Sequence, residues 1–236
     1  MKTISIIFLM LCSSIMYGQE AKKTSNYTTM FWFGHYSQIK LNKYLSINTD
    51  IQFRTREGIK HPSQALVRTG LQYKRNEKFS FTGGMAHFRF FINDYKTRGE
   101  WRPWQEFAIM DQHNKLQLVH RFRVEERFNQ QTKGNLVLDT YNFSFRFRYK
   151  MDMQYLLRSS NKESLKVTLG NEVMLNAGRT IKYNYFDQNR ISIGLLVDYL
   201  PNFIVQPQYM FISQQMQDGL TVNQSSVFRV NVLQKF

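Results

Sequence analysis

Residues 141–157 read YNFSFRFRYKMDMQYLL: Tyr141, Phe143, Phe145, Phe147, Tyr149, Met151, Met153, Tyr155 and Leu157 fall on odd positions, and Asn142, Ser144, Arg146, Arg148, Lys150, Asp152 and Gln154 fall between them. Successive side chains of a strand point to opposite faces, whereas a helix repeats every 3.6 residues, so a strict period of 2 specifies a strand with one apolar and one charged face. The run is far longer than the roughly 5 or 6 residues usual in soluble sheets. A strand that crosses a bilayer obliquely needs about 9 to 11 residues and can project beyond it.

Ten further runs share this pattern, at 28–38, 44–54, 63–75, 79–91, 101–112, 116–128, 165–176, 189–199, 203–213 and 225–236. Short connections (41–43, 76–78, 113–115, 159–164, 200–202) alternate with longer ones (57–62, 92–99, 129–136, 177–187, 214–223), as periplasmic turns alternate with extracellular loops. The pattern predicts an all-β protein, a single antiparallel transmembrane β-barrel over residues 28–236, with no boundary or long repeat inside it. Eleven runs conflict with the even strand count of bacterial barrels whose termini share one side. The expectation is therefore twelve strands, with ten as the alternative, unless the chain first runs up through the lumen.

Ahead of the barrel, Lys2 precedes an apolar run at 4–16 and then Tyr17-Gly18-Gln19, the layout of a secretory signal peptide cleaved after Gly18. Residues 1–18 are thus read as a leader and 19–27 as a short polar N-terminal segment. The apolar run is too short to span as a helix, and no later stretch approaches the roughly 20 apolar residues required. The single cysteine, Cys12, lies inside the leader behind the bulky Leu11, which argues against a lipid anchor and leaves the mature chain without thiol chemistry.

The chain has 32 Lys and Arg against 17 Asp and Glu. Loss of Lys2 leaves 31 against 17, a mature charge of +14. Behind a leader, that charge points to anionic head groups, lipopolysaccharide or anionic solutes rather than nucleic acid. On a barrel it falls on the inward phase: Glu100, Arg102 and Glu106; Arg121, Arg123, Glu125 and Arg127; Arg146, Arg148, Lys150 and Asp152; Lys166 and Glu172; with Arg54, Arg68, Arg190 and Arg229. Facing lipid near the midplane, each would cost about 2–4 kcal/mol. The primary reading is a lumen largely filled by interlocked Arg and Glu, in a structural protein or a component of an envelope complex. The alternative is a narrow path in which excess arginine attracts anions.

Catalysis ranks below both. His120 shares the aromatic phase of its strand, Ser144 and Ser192 lie on the opposite phase of other strands, and the spacing of His35, His61, His87 and His113 forms no metal motif, so no cofactor is expected. Trp32, Trp101 and Trp104 are assigned to interfacial girdles. Gly83-Gly84 reads as a bulge. Lys60, Lys96, Arg98, Arg179 and Lys182 fall in the longer connections, where they would meet lipopolysaccharide phosphates. Phe236 ends the chain in phase with Val232, Val230 and Phe228, although Gln234 interrupts that face. Outer-membrane proteins resemble one another in this terminal aromatic, which their assembly machinery recognises.

Glu100-x-Arg102, Arg121-x-Arg123-x-Glu125-x-Arg127, the 145–149 segment FRFRY, Asn171-Glu172 with Leu175-Asn176, and the 186–190 segment FDQNR together resemble a domain-of-unknown-function family of short Bacteroidota outer-membrane barrels. The resemblance covers essentially the mature chain. It implies a barrel in the outer membrane and carries over neither an activity nor catalytic residues.

Overall fold

The computed structural model describes residues 24–134, 136–160, 163–200 and 202–236; the 1–18 leader lies outside them. Alternating side chains produce eleven strands: β1 (Thr24–Lys40), β2 (Leu45–Arg56), β3 (His61–Lys74), β4 (Phe79–Phe91), β5 (Thr97–His113), β6 (Leu116–Lys133), β7 (Leu136–Ser159), β8 (Ser164–Ala177), β9 (Phe186–Leu200), β10 (Phe203–Gln215) and β11 (Thr221–Lys235). Each pairs antiparallel with its neighbours in the chain, and the sheet closes on itself.

Closure corrects the expected twelve strands. In an antiparallel meander the eleventh strand runs in the same direction as the first, so an odd barrel closes only through a parallel pair. Here that pair is β1 with β11, in continuous register from Thr24↔Thr221 to Gln38↔Lys235. The even count holds when both ends of the barrel lie on one side; in this chain Thr24 and Lys235 lie at opposite ends of the wall. The seam also draws residues 24–27, assigned above to the N-terminal segment, into β1 through their pairing with residues 221–224.

Connections at the end where β11 finishes (the turn end) span two to four residues: 41–44, 75–78, 114–115, 160–163 and 201–202. Asparagine shapes two of these turns: Asn42 Oδ1 accepts from the Tyr44 and Leu45 amides, and Asn76 Oδ1 accepts from those of Lys78 and Phe79. Connections at the opposite (loop) end are shorter than the sequence suggests, because the strands extend into them: 57–60, 92–96, 134–135, 178–185 and 216–220. β6 and β7 go furthest. Residues 136–143 pair with β6 alone, since β8 joins β7 only from Phe145, so this hairpin stands above the rim.

The outer wall is apolar: Phe33, Ile51, Phe53, Val67, Phe81, Trp101, Phe122, Phe147, Leu169, Ile193 and Phe228 are all exposed. Two tryptophans depart from the girdle assignment. Trp32 and Trp104 point inward and are buried, Trp32 with Met210, Ile212 and Val227, and Trp104 with Leu66, Ala86 and Phe88. Only Trp101 lies on the outer face. The bulge expected at Gly83-Gly84 is also absent: the registers of β3 with β4 and of β4 with β5 run through both residues without a shift. What mimicked a change of phase is a pair of inward aromatics, Phe88 and Phe90.

The two glycines instead serve close approach. A Cβ on Gly84 would lie 2.1 Å from the Thr69 carbonyl oxygen, and one on Gly70, across the strand pair, would lie 2.7 Å from Cζ2 of Trp104. At Gly83 the nearest atom would be 4.0 Å away. Gly84→Ala should therefore destabilise the barrel by about 1–3 kcal/mol, the usual cost of overpacking, while Gly83→Ala should leave it nearly unchanged; urea unfolding of the two variants in the same detergent checks the contrast.

Candidate functional site

The inward phase of β5 to β9 builds a continuous ionic network, because register places the charged positions of adjacent strands side by side. Glu125 faces Arg146, Lys150 faces Glu172, and Glu172 faces Arg190. The longer reach of arginine then joins groups on different rows.

Six residues form a closed alternating ring. Glu125 is bound by Arg148 at 2.5 Å and approached by Arg123 at 3.8 Å. Arg148 continues to Glu172 at 2.7 Å, and Glu172 to Arg121 at 2.5 Å. Arg121 and Arg123 both meet Glu106, at 3.5 and 2.6 Å, which completes the circuit. Arg102 links the ring to Glu100, 3.3 Å from Glu125 and 2.5 Å from Glu100. Arg127 binds Glu100 at 2.6 Å, and Arg190 approaches Glu172 at 3.8 Å.

Of the seventeen charged residues placed on the inward phase from sequence, ten thus lie in one network. Arg146 pairs instead with Asp187 at 2.8 Å and donates to Asn176, and Lys150 pairs with Asp152 at 2.7 Å. Asp187 and Asp50, which binds Arg68 at 2.6 Å, were not among the candidates. Asp50 is the lone acid of its strand, and Asp187 lies before its run begins, so neither belonged to an alternating run of acids and bases.

Aromatic rings complete the inner wall. Arg102 lies 3.7 Å over Phe88, Arg98 4.5 Å over Phe90 and Arg123 4.6 Å over Trp104, while Trp32 carries Arg54 at 3.9 Å and Arg190 at 5.3 Å. Each contact adds about 0.5–2 kcal/mol and leaves the guanidinium edge free for hydrogen bonds. The signal for Trp104 was present in the sequence, since it shares the phase of Glu100, Arg102 and Glu106. Arg98, expected in a loop facing lipopolysaccharide, lies in β5 and lines the lumen; Lys60, Lys96, Arg179 and Lys182 are exposed in loop-end connections.

A cavity of about 1300 Å³ runs through the barrel, lined from Thr180 and Met216 at the loop end to Gln117 and Lys235 at the turn end. At about 30 Å³ per water it has room for on the order of forty waters. Fourteen Lys and Arg side chains line it, against five Asp and Glu. Counting Glu100 and Glu125, buried behind the arginines, the balance is fourteen to seven. Glu100 and Glu125 lie behind the arginines, and the other five acids share the cavity surface with the guanidiniums. Arg54, Arg98, Lys166, Arg229 and Lys235 have no carboxylate within 4.0 Å among the described residues.

On the outer face, His120 Nδ1 lies 2.9 Å from the Tyr149 hydroxyl rather than beside a serine. No group of three or more His, Cys, Asp or Glu among the described residues is arranged to hold a metal. Phe236 lies exposed at the turn end of the seam, where its amide donates to Gln38 and its carbonyl accepts from Lys40.

A closed wall, apolar outside and ionic within, defines this chain as a transmembrane β-barrel. It belongs to the family described as protein of unknown function (DUF2490), whose model matches residues 29–223. Among solved structures, the NanC porin is similar at 13% identity and a TM-score of 0.47, over 86% of this chain and 97% of that one. No curated protein matches the chain.

Glu100 is fully buried between Arg102 and Arg127. Glu100→Gln leaves Arg127 without its counter-charge and Arg102 with Glu125 alone, and should cost about 3–5 kcal/mol. Adding Arg127→Gln should restore part of that loss, and a double-mutant cycle on urea midpoints would measure the coupling.

Proposed function

We propose that the protein is a non-enzymatic outer-membrane barrel whose hydrated lumen passes small anions. The observation that carries this reading is the cavity that reaches both ends of the barrel and is lined by fourteen basic side chains against five acidic ones. A lumen with twice as many basic as acidic groups favours anions, and the field is strong because the surrounding wall is of low dielectric. The volume favours this over the interior filled by side chains that the sequence suggests. The excess charge faces inward, which argues against nucleic acid as a partner.

In this reading the apolar wall contacts lipid, the turn end faces the periplasm, and Phe236 is read there by the assembly machinery. Lys60, Lys96, Arg179 and Lys182 then meet lipopolysaccharide phosphates at the loop end. Arg89, exposed on the outer wall beside an apolar dent lined by Phe33, Phe53 and Ala65, offers a further contact for a lipid head group. A second reading, a structural role with an envelope protein partner, is favoured by the β6–β7 hairpin, which stands above the rim with Leu136 and Tyr141 exposed.

Fractionation should recover the chain in outer membranes, and it should migrate differently on a denaturing gel with and without boiling. In planar bilayers under a KCl gradient, the reversal potential should take the sign set by chloride. A folded barrel that conducts nothing, or prefers potassium, would exclude the channel and favour the envelope-complex role.

A further inference from the structure

The ionic network does not cover the whole inner wall. Around Trp32, on the seam side, three arginines converge: Arg54 and Arg190 both contact its ring, and Arg229 faces Trp32 across the β1–β11 pair. Arg54 and Arg229 have no carboxylate within 4.0 Å among the described residues, and Arg190 has only Glu172 at 3.8 Å, which Arg121 and Arg148 bind more closely.

Glutamine maintains this separation. Gln52 donates to Asp50 at 2.9 Å and accepts from Arg54 at 2.8 Å, so the amide stands between acid and base. Gln188 repeats the arrangement, donating to Asp187 at 3.0 Å and accepting from Arg190 at 2.7 Å. Gln208 accepts from Arg229. Each guanidinium is therefore oriented by a neutral acceptor, while Arg54 and Arg229 meet no carboxylate among the described residues and Arg190 meets one only at 3.8 Å. In addition, Trp32 Nε1 and Arg229 Nε are buried donors with no acceptor among the described residues. Trp32 itself is 4% exposed.

From this we infer that the Trp32, Arg54, Arg190 and Arg229 cluster is a binding subsite for a multidentate oxyanion, carboxylate or phosphate, carried by a small solute in the lumen. Guanidinium forks match such groups with two parallel hydrogen bonds, and three of them around unpaired donors hold an oxyanion more strongly than a spherical halide. The subsite deepens the channel reading and rests on the lumen being open to solutes. It places selectivity at one level of the barrel rather than along its whole length.

Intrinsic tryptophan fluorescence of the folded barrel in detergent, titrated with inorganic phosphate and separately with succinate at fixed chloride, tests the subsite without requiring current. A saturable response is expected, with its half-saturation raised roughly tenfold or more in the Arg54→Gln/Arg229→Gln variant, since hydrogen bonds to charged groups are at stake. Gln52→Glu keeps every arginine but supplies Arg54 with a carboxylate, and should weaken the response similarly. Lys115→Gln, in an exposed turn-end connection, should leave it unchanged. A response to phosphate alone or to succinate alone assigns the oxyanion class. No saturable response in the wild type, or an unaltered one in either weakened variant with its heat-dependent gel shift intact, overturns the subsite. A normal response from a barrel that passes no current supports the subsite and removes the channel reading alone.

Discussion

A carboxylate that has lost its water needs several charge-assisted donors to stay ionised inside a protein wall, and the interior is organised around three that meet this need. Glu100 receives two arginines, and Glu125 and Glu172 each receive two closely and a third at longer range. Because the acids are shared, arginines from β5, β6, β7 and β9 are held in one lattice, which ties together strands that are not neighbours in the sheet. Such a lattice is weak evidence for stability, since desolvation offsets much of the attraction. Its clearer consequence is geometric: guanidiniums are drawn across Glu100 and Glu125 and make up most of the charged surface that the lumen presents.

Closure imposes the second constraint. Eleven strands leave the β1–β11 seam parallel and separate Thr24 from Lys235 by the height of the wall. The seam also sets the charge pattern. On the β5–β9 side the acids and bases are numerous and interlock; toward β1, β2 and β11 the inward residues include Tyr36, Gln52, Asn231 and Trp32, and the arginines among them meet amides. The inner wall thus has a side where most arginines meet carboxylates and a side where Arg54 and Arg229 meet amides instead.

The aromatic residues illustrate how the two faces differ. Outside, rings pack on one another along the wall, Phe143 edge to face with Phe145 and Phe81 tilted against Phe107. Inside, Trp32, Trp104, Phe88 and Phe90 are platforms for guanidiniums, which a ring can hold without taking a hydrogen-bond donor. Hydrophobic residues on the inward phase are therefore part of the electrostatic design, and they explain why arginine rather than lysine dominates there.

The barrel itself was legible in the sequence, because alternation is a property of the chain: Phe145, Phe147 and Tyr149 cannot share a face with Arg146 and Arg148 in any extended conformation. Phase sufficed likewise to place Glu100, Arg102, Glu125 and Glu172 on one inner surface. Phase could not tell which ring lies inside when both faces carry aromatics, so Trp32 and Trp104 were misplaced and Gly83-Gly84 was taken for a bulge when Gly84 and Gly70 make room for Trp104 and the neighbouring strand. Nor could it tell which acid meets which base. That depends on register, on the shear of a closed sheet and on a seam joining residues nearly 200 positions apart, such as Thr24 and Thr221. Alternation belongs to each strand and is written locally, whereas closure and pairing arise only when all eleven strands meet, and so the tertiary structure alone decided them.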